Sequence, residues 1–149
     1  MALLLLGSYR RLVDAVVVEL EARGYADVRP SHDYAMRAIQ RGADSASELG
    51  RSLAVSKQAA AKTIEVLLER GYVSREPDPA DARRKRVQVT ELGAQLLHDG
   101  ELVFERLYRQ LARQLGRKEL AVLEQQLATI VEDQPIRLEA PGWVAQGSG

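Results

Sequence analysis

With 149 residues the chain is long enough to bury one core of ordinary domain size, or two small cores that share an element. Its composition, 46% hydrophobic and 28% charged, is that of a folded globular protein and not of a disordered tail. Formal net charge is zero, so any polyanionic partner must be met by a local patch, and the lack of cysteine excludes disulfides, thiolate metal sites and cysteine redox switches.

The apolar run from Ala2 to Leu6 follows no basic region and gives way to Gly7-Ser8-Tyr9-Arg10-Arg11. It is too short for a signal peptide or a membrane span, which leads to the expectation of a soluble, cytoplasmic chain with no membrane partner. Leu5, Tyr9, Leu12, Val13, Val16, Val17 and Leu20 recur at helical spacing and predict a first helix closed by Arg23-Gly24. Ser31 is a plausible N-cap for a short helix through Ile39, ended by Arg41-Gly42. Ser45 and Glu48 form a capping-box pattern, with Leu49 and Leu53 as the inward residues of the helix it opens. Val55-Ser56 then opens a longer helix that stops at Arg70-Gly71. Only the Ala54-Val55 region separates these two helices, which is the spacing of a helix-turn-helix. Gly50 inside the first of them costs about 1 kcal/mol against alanine, a cost compensated if the two helices approach closely there.

At 100° per residue Ala60, Ile64 and Leu67 share one side of the second helix, while Gln58, Lys62, Glu65 and Glu69 lie opposite. Next comes a hairpin: Tyr72-Val73-Ser74-Arg75 leads through Pro77-Asp78-Pro79-Ala80-Asp81 and returns as Arg86-Val87-Gln88-Val89. Between Asp81 and Val89 the four cations Arg83, Arg84, Lys85 and Arg86 face the single anion Asp81. Helix-turn-helix and charged hairpin together point to a winged helix that grips duplex DNA. Gln58, Ala61 and Lys62 would then meet base edges in the major groove, and Ser56 and Lys57 a phosphate at the helix N-terminus. The cationic hairpin tip would enter the adjacent minor groove, with Asp81 pairing to the Arg83 guanidinium and aiming it. Taken singly, each of these sets reads first as a solvated charged face; the DNA reading rests on their combination.

Thr90 is placed to cap a long helix with Leu92, Leu96, Val103, Leu107, Leu111 and Leu115 down one side and Gly116 as its stop. A last helix carries Leu120, Leu123, Leu127 and Ile130 in 3-4 steps, a coiled-coil-like seam. The helices at the two chain ends therefore offer more apolar length than a small winged lobe can cover, which predicts a homodimer. Past Asp133 the prolines Pro135 and Pro141, the terminal Gly-Ser run and the only tryptophan, Trp143, predict an extended tail.

The ordered set Glu48-Leu49, Leu53, Val55-Ser56, Leu67, Gly71-Tyr72-Val73, Arg75, Asp81-x-Arg83, Val87, Val89-Thr90 and Gly93 resembles the MarR family of bacterial transcriptional regulators, over roughly residues 9–133. The resemblance implies a mainly α fold with a small β-wing. It implies a winged helix-turn-helix DNA-binding lobe (31–89) between dimerisation helices (1–30 and 90–133), in one unit of 1–133 followed by a tail of 134–149. It further implies a homodimer on a pseudo-palindromic operator, often a repressor released by a small lipophilic or aromatic effector. An effector pocket would lie near the first two helices and the start of the long one, where Tyr9, His32, Tyr34 and Met36 are the candidate lining residues. Gly50 stands where family members usually carry alanine, and Leu68 where a polar residue is commoner.

No cofactor or metal is expected: two histidines make no cluster, and no nucleophile with a base or phosphate-binding glycine loop marks an enzyme. The competing reading is a winged-helix module that binds protein or a small ligand and no longer reads DNA. Indifference to Lys62→Ala and Arg83→Ala would be its signature.

Overall fold

The computed structural model describes residues 1–131, and in them the chain runs through α1 (Ala2–Ala22), α2 (Pro30–Gln40), α3 (Ala46–Leu53), α4 (Lys57–Glu69), β1 (Val73–Pro77), β2 (Lys85–Val89), α5 (Glu91–Leu115) and α6 (Arg117–Val131). This is a mainly α fold with one two-stranded antiparallel sheet. The expected tail and Trp143 lie outside the described residues. Two units divide the described residues, Met1–Pro30 with 94–131, and Ser31–Gly93.

In the unit Ser31–Gly93, α2 starts two residues earlier than a Ser31 cap predicts, at the preceding Pro30. Pro30 occupies the first helical position, where its missing N–H removes a group that has no partner in a helix anyway, so Ser31 lies inside the helix and is not its cap. Ala35, Met36, Ala38 and Ile39 bury the apolar face of α2. At α3 the Ser45 hydroxyl accepts the Glu48 N–H at 3.3 Å, and at α4 the Ser56 hydroxyl accepts the Ala59 N–H at 3.0 Å. Replacing Ser45 by alanine is expected to lower stability by about 1 kcal/mol. A urea midpoint that falls with an unchanged slope is the measurement that checks it.

Between the two helices Ala54 takes a left-handed conformation (φ 55°, ψ 39°) and turns the chain within two residues. Gly50 is buried, and a Cβ built on it would stand 3.0 Å from the Val55 carbonyl oxygen and 3.4 Å from the Lys57 nitrogen. That is the close approach which its place inside a helix calls for. Leu49, Ala60, Ile64 and Leu67 are then enclosed between α3, α4 and the wing root, each at most 2% exposed.

Strands β1 and β2 pair in the register Val73↔Val89, Arg75↔Val87 and Glu76↔Arg86. They are one to two residues longer at the tip than the sequence pattern alone suggests. Two aspartates build the tip: Asp78 Oδ1 accepts the Ala80 N–H at 2.9 Å, and Asp81 Oδ1 the Arg83 N–H at 3.0 Å. The base of the wing is fixed twice. Val87 donates its N–H to the Asp44 carbonyl at 2.8 Å, and Thr90 donates its N–H to the Tyr72 carbonyl at 3.0 Å. Thr90 also caps α5, accepting the Gly93 N–H at 3.1 Å while its hydroxyl donates to the Gly71 carbonyl at 2.6 Å.

In the other unit, α1 and α5 are held by apolar contacts around Val16, Leu20, Leu97 and Val103 and by two polar clamps. Asp99 accepts from the Tyr25 hydroxyl at 2.8 Å and pairs with Arg23 at 3.4 Å, while Arg106 pairs with Glu19. Tyr108 on α5 donates its hydroxyl to Glu124 on α6 at 3.0 Å, and this bond to a carboxylate raises its phenol pKa above the usual tyrosine range. Much apolar surface stays open here. Of the strongly exposed large hydrophobic residues among those described, every one but Leu92 belongs to this unit, among them Leu3 (82%), Leu4 (76%) and Ile130 (63%). An open groove of about 520 Å³ lined by Leu12, Phe104, Leu107, Tyr108 and Leu111 runs along it. Among the described residues no helix is long and apolar enough to cross a membrane.

Candidate nucleic-acid interface

Helix α4 is two-faced. Its buried residues Ala60, Ile64 and Leu67 commit one side to the core, which leaves Lys57, Gln58 and Lys62 exposed on the other, with Ala61 half-buried at the edge. The Ser56 hydroxyl oxygen is used by the cap, so its hydrogen is what remains for an incoming acceptor. With Lys57 next to it and the unpaired amides of the first turn behind it, the helix start presents positive potential to solvent. None of Lys57, Gln58 and Lys62 has a side-chain hydrogen bond or ion pair among the described residues.

The wing sorts its four cations unequally. Arg83 and Lys85 project from the tip, exposed and without a side-chain partner among the described residues. Arg86 is half-buried along β2, where the Gln88 amide oxygen, turned toward it, accepts from Nε at 2.6 Å. Arg84 is held: its guanidinium lies 2.6 Å from Asp44, 3.8 Å from Asp78 and 4.0 Å from Glu48. One expectation changes here. Asp81 does not hold the Arg83 guanidinium; its carboxylate is spent on the Arg83 backbone N–H, so it shapes the turn from which the side chain leaves. The Glu48 carboxylate, expected to return to Ser45, faces Arg84 instead.

Asp44 is the residue that sequence reasoning missed. It lies 40 positions before its partner in a loop, and no local pattern links the two. Of the residues named for an effector, Met36 (0% exposed) and His32 (4%) lie one turn apart on the buried face of α2, and Tyr34 is half-buried on the same helix. Tyr9 is 48% exposed on α1, in the other unit.

Residues 34–84, which run from α2 through the helix-turn-helix to the wing tip, match the family model described as MarR family. The winged lobe is thus similar to that of the MarR family. Solved structures extend the likeness to the whole MarR-type fold. The reduced form of MarR from E. coli aligns with a TM-score of 0.70 at 22% identity, over 89% of this chain and 96% of that one. A cysteine-to-serine mutant of E. coli MarR complexed with operator DNA aligns at 0.66 and 24% identity, over 88% and 93%. S. aureus MepR bound to ethidium bromide aligns at 0.60 and 17% identity, over 87% and 93%. The MarR-type architecture, six helices with a two-stranded wing, is thus common to all three and to this chain.

Proposed function

We propose that this chain is a homodimeric, sequence-specific regulator of transcription that binds a pseudo-palindromic operator in double-stranded DNA. The observation that carries the reading is the set of polar and cationic side chains without a partner among the described residues, Lys57, Gln58, Lys62, Arg83 and Lys85, set out on α4 and the wing of a single unit. Gln58, Ala61 and Lys62 meet base edges in the major groove, Ser56 and Lys57 a phosphate, and Arg83 the minor groove, with Asp81 shaping its turn and Lys85 and Arg86 adding charge along the wing. The operator-bound E. coli MarR mutant, of the same fold, lends support. Selection from random-sequence duplex tests it: recovery of an inverted repeat bound with a steep salt dependence is expected, and a bound pool with no shared sequence would overturn it.

The second copy packs on the unit that contains α1, α5 and α6, whose open apolar surface is the support for a dimer. Leu123 and Ile130 are seven residues apart on α6 and so share one face, 41% and 63% exposed. Introducing Leu123→Glu with Ile130→Glu is expected to weaken dimerisation by roughly 100-fold while helix content stays the same. Sedimentation equilibrium reads the first and circular dichroism the second. The regulator acts as a repressor, and a small aromatic ligand releases it; MepR of the same fold, solved with ethidium bromide, is the support for that choice of ligand. Loss of the DNA complex on titration with planar aromatic cations or phenols is the expected result.

A further inference from the structure

The positive charge of Arg84 is already spent inside the protein. Three carboxylates surround it, Asp44 from the loop before α3, Glu48 from α3 and Asp78 from the foot of the wing turn, so the cluster carries more negative than positive charge. Its backbone is fixed as well, donating to the Asp81 carbonyl at 2.9 Å and accepting the Asp78 N–H at 2.8 Å. Asp44 is tied to the wing a second time through its own carbonyl, which takes the Val87 N–H at 2.8 Å. Side chain and main chain of one loop residue therefore grip the approach to the returning strand and its middle.

We propose that Arg84 is a positioning residue, a latch that locks the wing to the loop before α3 and thereby sets where the neighbouring Arg83 points, and that it makes no DNA contact of its own. The inference rests on the DNA-reading function proposed above. Because the ion pairs are partly open to water, the latch adds little to global stability. Its effect is on the orientation of the tip.

Two measurements test it. In the free protein, Arg84→Ala is expected to speed amide hydrogen exchange at Val87 by about tenfold while the global unfolding midpoint holds, a local opening of the wing. On the duplex selected by the wild-type protein, Arg84→Ala is expected to weaken binding by about tenfold. The sign of Asp44→Ala then separates the mechanisms. Removing an anion beside DNA and freeing a cation would tighten binding if Arg84 met phosphate, whereas losing the latch weakens it. Arg83→Ala should also cost less in the Arg84→Ala background than in the wild type, because an unlatched wing no longer places that guanidinium. Unchanged exchange at Val87, tighter binding by Asp44→Ala, or strictly additive losses at Arg83 and Arg84 would each overturn the latch. Should the wild-type protein select no duplex, the DNA reading falls, and the exchange measurement still decides the latch on its own.

Discussion

Gly93→Ala is expected to cost about 3 kcal/mol of folding free energy, a fall in the thermal midpoint of roughly 10 °C for a chain of this size. The cause is backbone against backbone. Gly93 lies in the first turn of α5, where the carbonyl of Tyr72 crosses it after accepting the Thr90 N–H. A Cβ built at this position would overlap the Tyr72 carbonyl oxygen, stand 3.0 Å from its carbon and press on Val89 Cγ1 at 2.9 Å. A side chain could rotate away from such a collision; a carbonyl held by the Thr90 N–H cannot, so the turn from Thr90 to Gly93 must shift away from Tyr72. Gly50 makes the useful contrast. Its nearest neighbour would be the Val55 oxygen at 3.0 Å, and alanine there recovers about 1 kcal/mol of helix propensity, so Gly50→Ala should change stability by less than about 1 kcal/mol. Urea unfolding of the two variants side by side is the measurement. Equal losses would mean that the wing root yields as readily as the helix-turn-helix.

Arg83→Ala is expected to weaken binding to the selected duplex by about 1 to 3 kcal/mol, roughly five- to 150-fold, with no change in unfolding midpoint. The side chain is exposed and has no partner within the described residues, so nothing folded depends on it. What depends on it is the charge delivered at the wing tip. An arginine is drawn into a narrow A·T-rich minor groove by the concentrated negative potential there, and losing it should relax preference at the flanks of the site. The slope of log K against log salt should fall by about one. Lysine at this position would restore part of the charge term but not the flat guanidinium that fits the groove. Binding that is indifferent to both Arg83→Ala and Lys62→Ala would instead favour a winged module with a protein or small-ligand partner.

How far the sequence can be read depends on how local the determining interactions are. The two helices of the helix-turn-helix are legible because Ser45 and Ser56 act within three residues and because Ala60, Ile64 and Leu67 keep a strict helical period. Gly71 as the stop of α4 is equally local, a positive φ of 75° that glycine adopts freely. The start of α2 differs by two residues because Ser31 and Pro30 both signal a helix start, and proline at the first helical position prevails. The partner of Asp81 differs for another reason. Two residues of separation allow either a side-chain pair or a turn closed on the backbone N–H, and the aspartate takes the turn. The Asp44–Arg84 contact is not legible at all, since it is set by where β2 passes the loop before α3. That passage depends on long-range strand placement, which no periodicity records.

The left-handed turn at Ala54 constrains what this position can become. An L-residue held at φ 55° carries about 1 kcal/mol or more of unfavourable backbone energy, which the flanking bonds from Ala54 N–H to the Arg51 carbonyl (3.4 Å) and from Val55 N–H to the Gly50 carbonyl (3.0 Å) must outweigh. Among sequences drifting under selection for this fold, glycine and asparagine are open at residue 54, and valine, isoleucine and threonine are closed, whatever the protein binds. The exposed methyl of Ala54 faces solvent, so the filter is purely conformational. It makes the turn between α3 and α4 a point where stability can rise without any change to the exposed side chains of α4 and the wing.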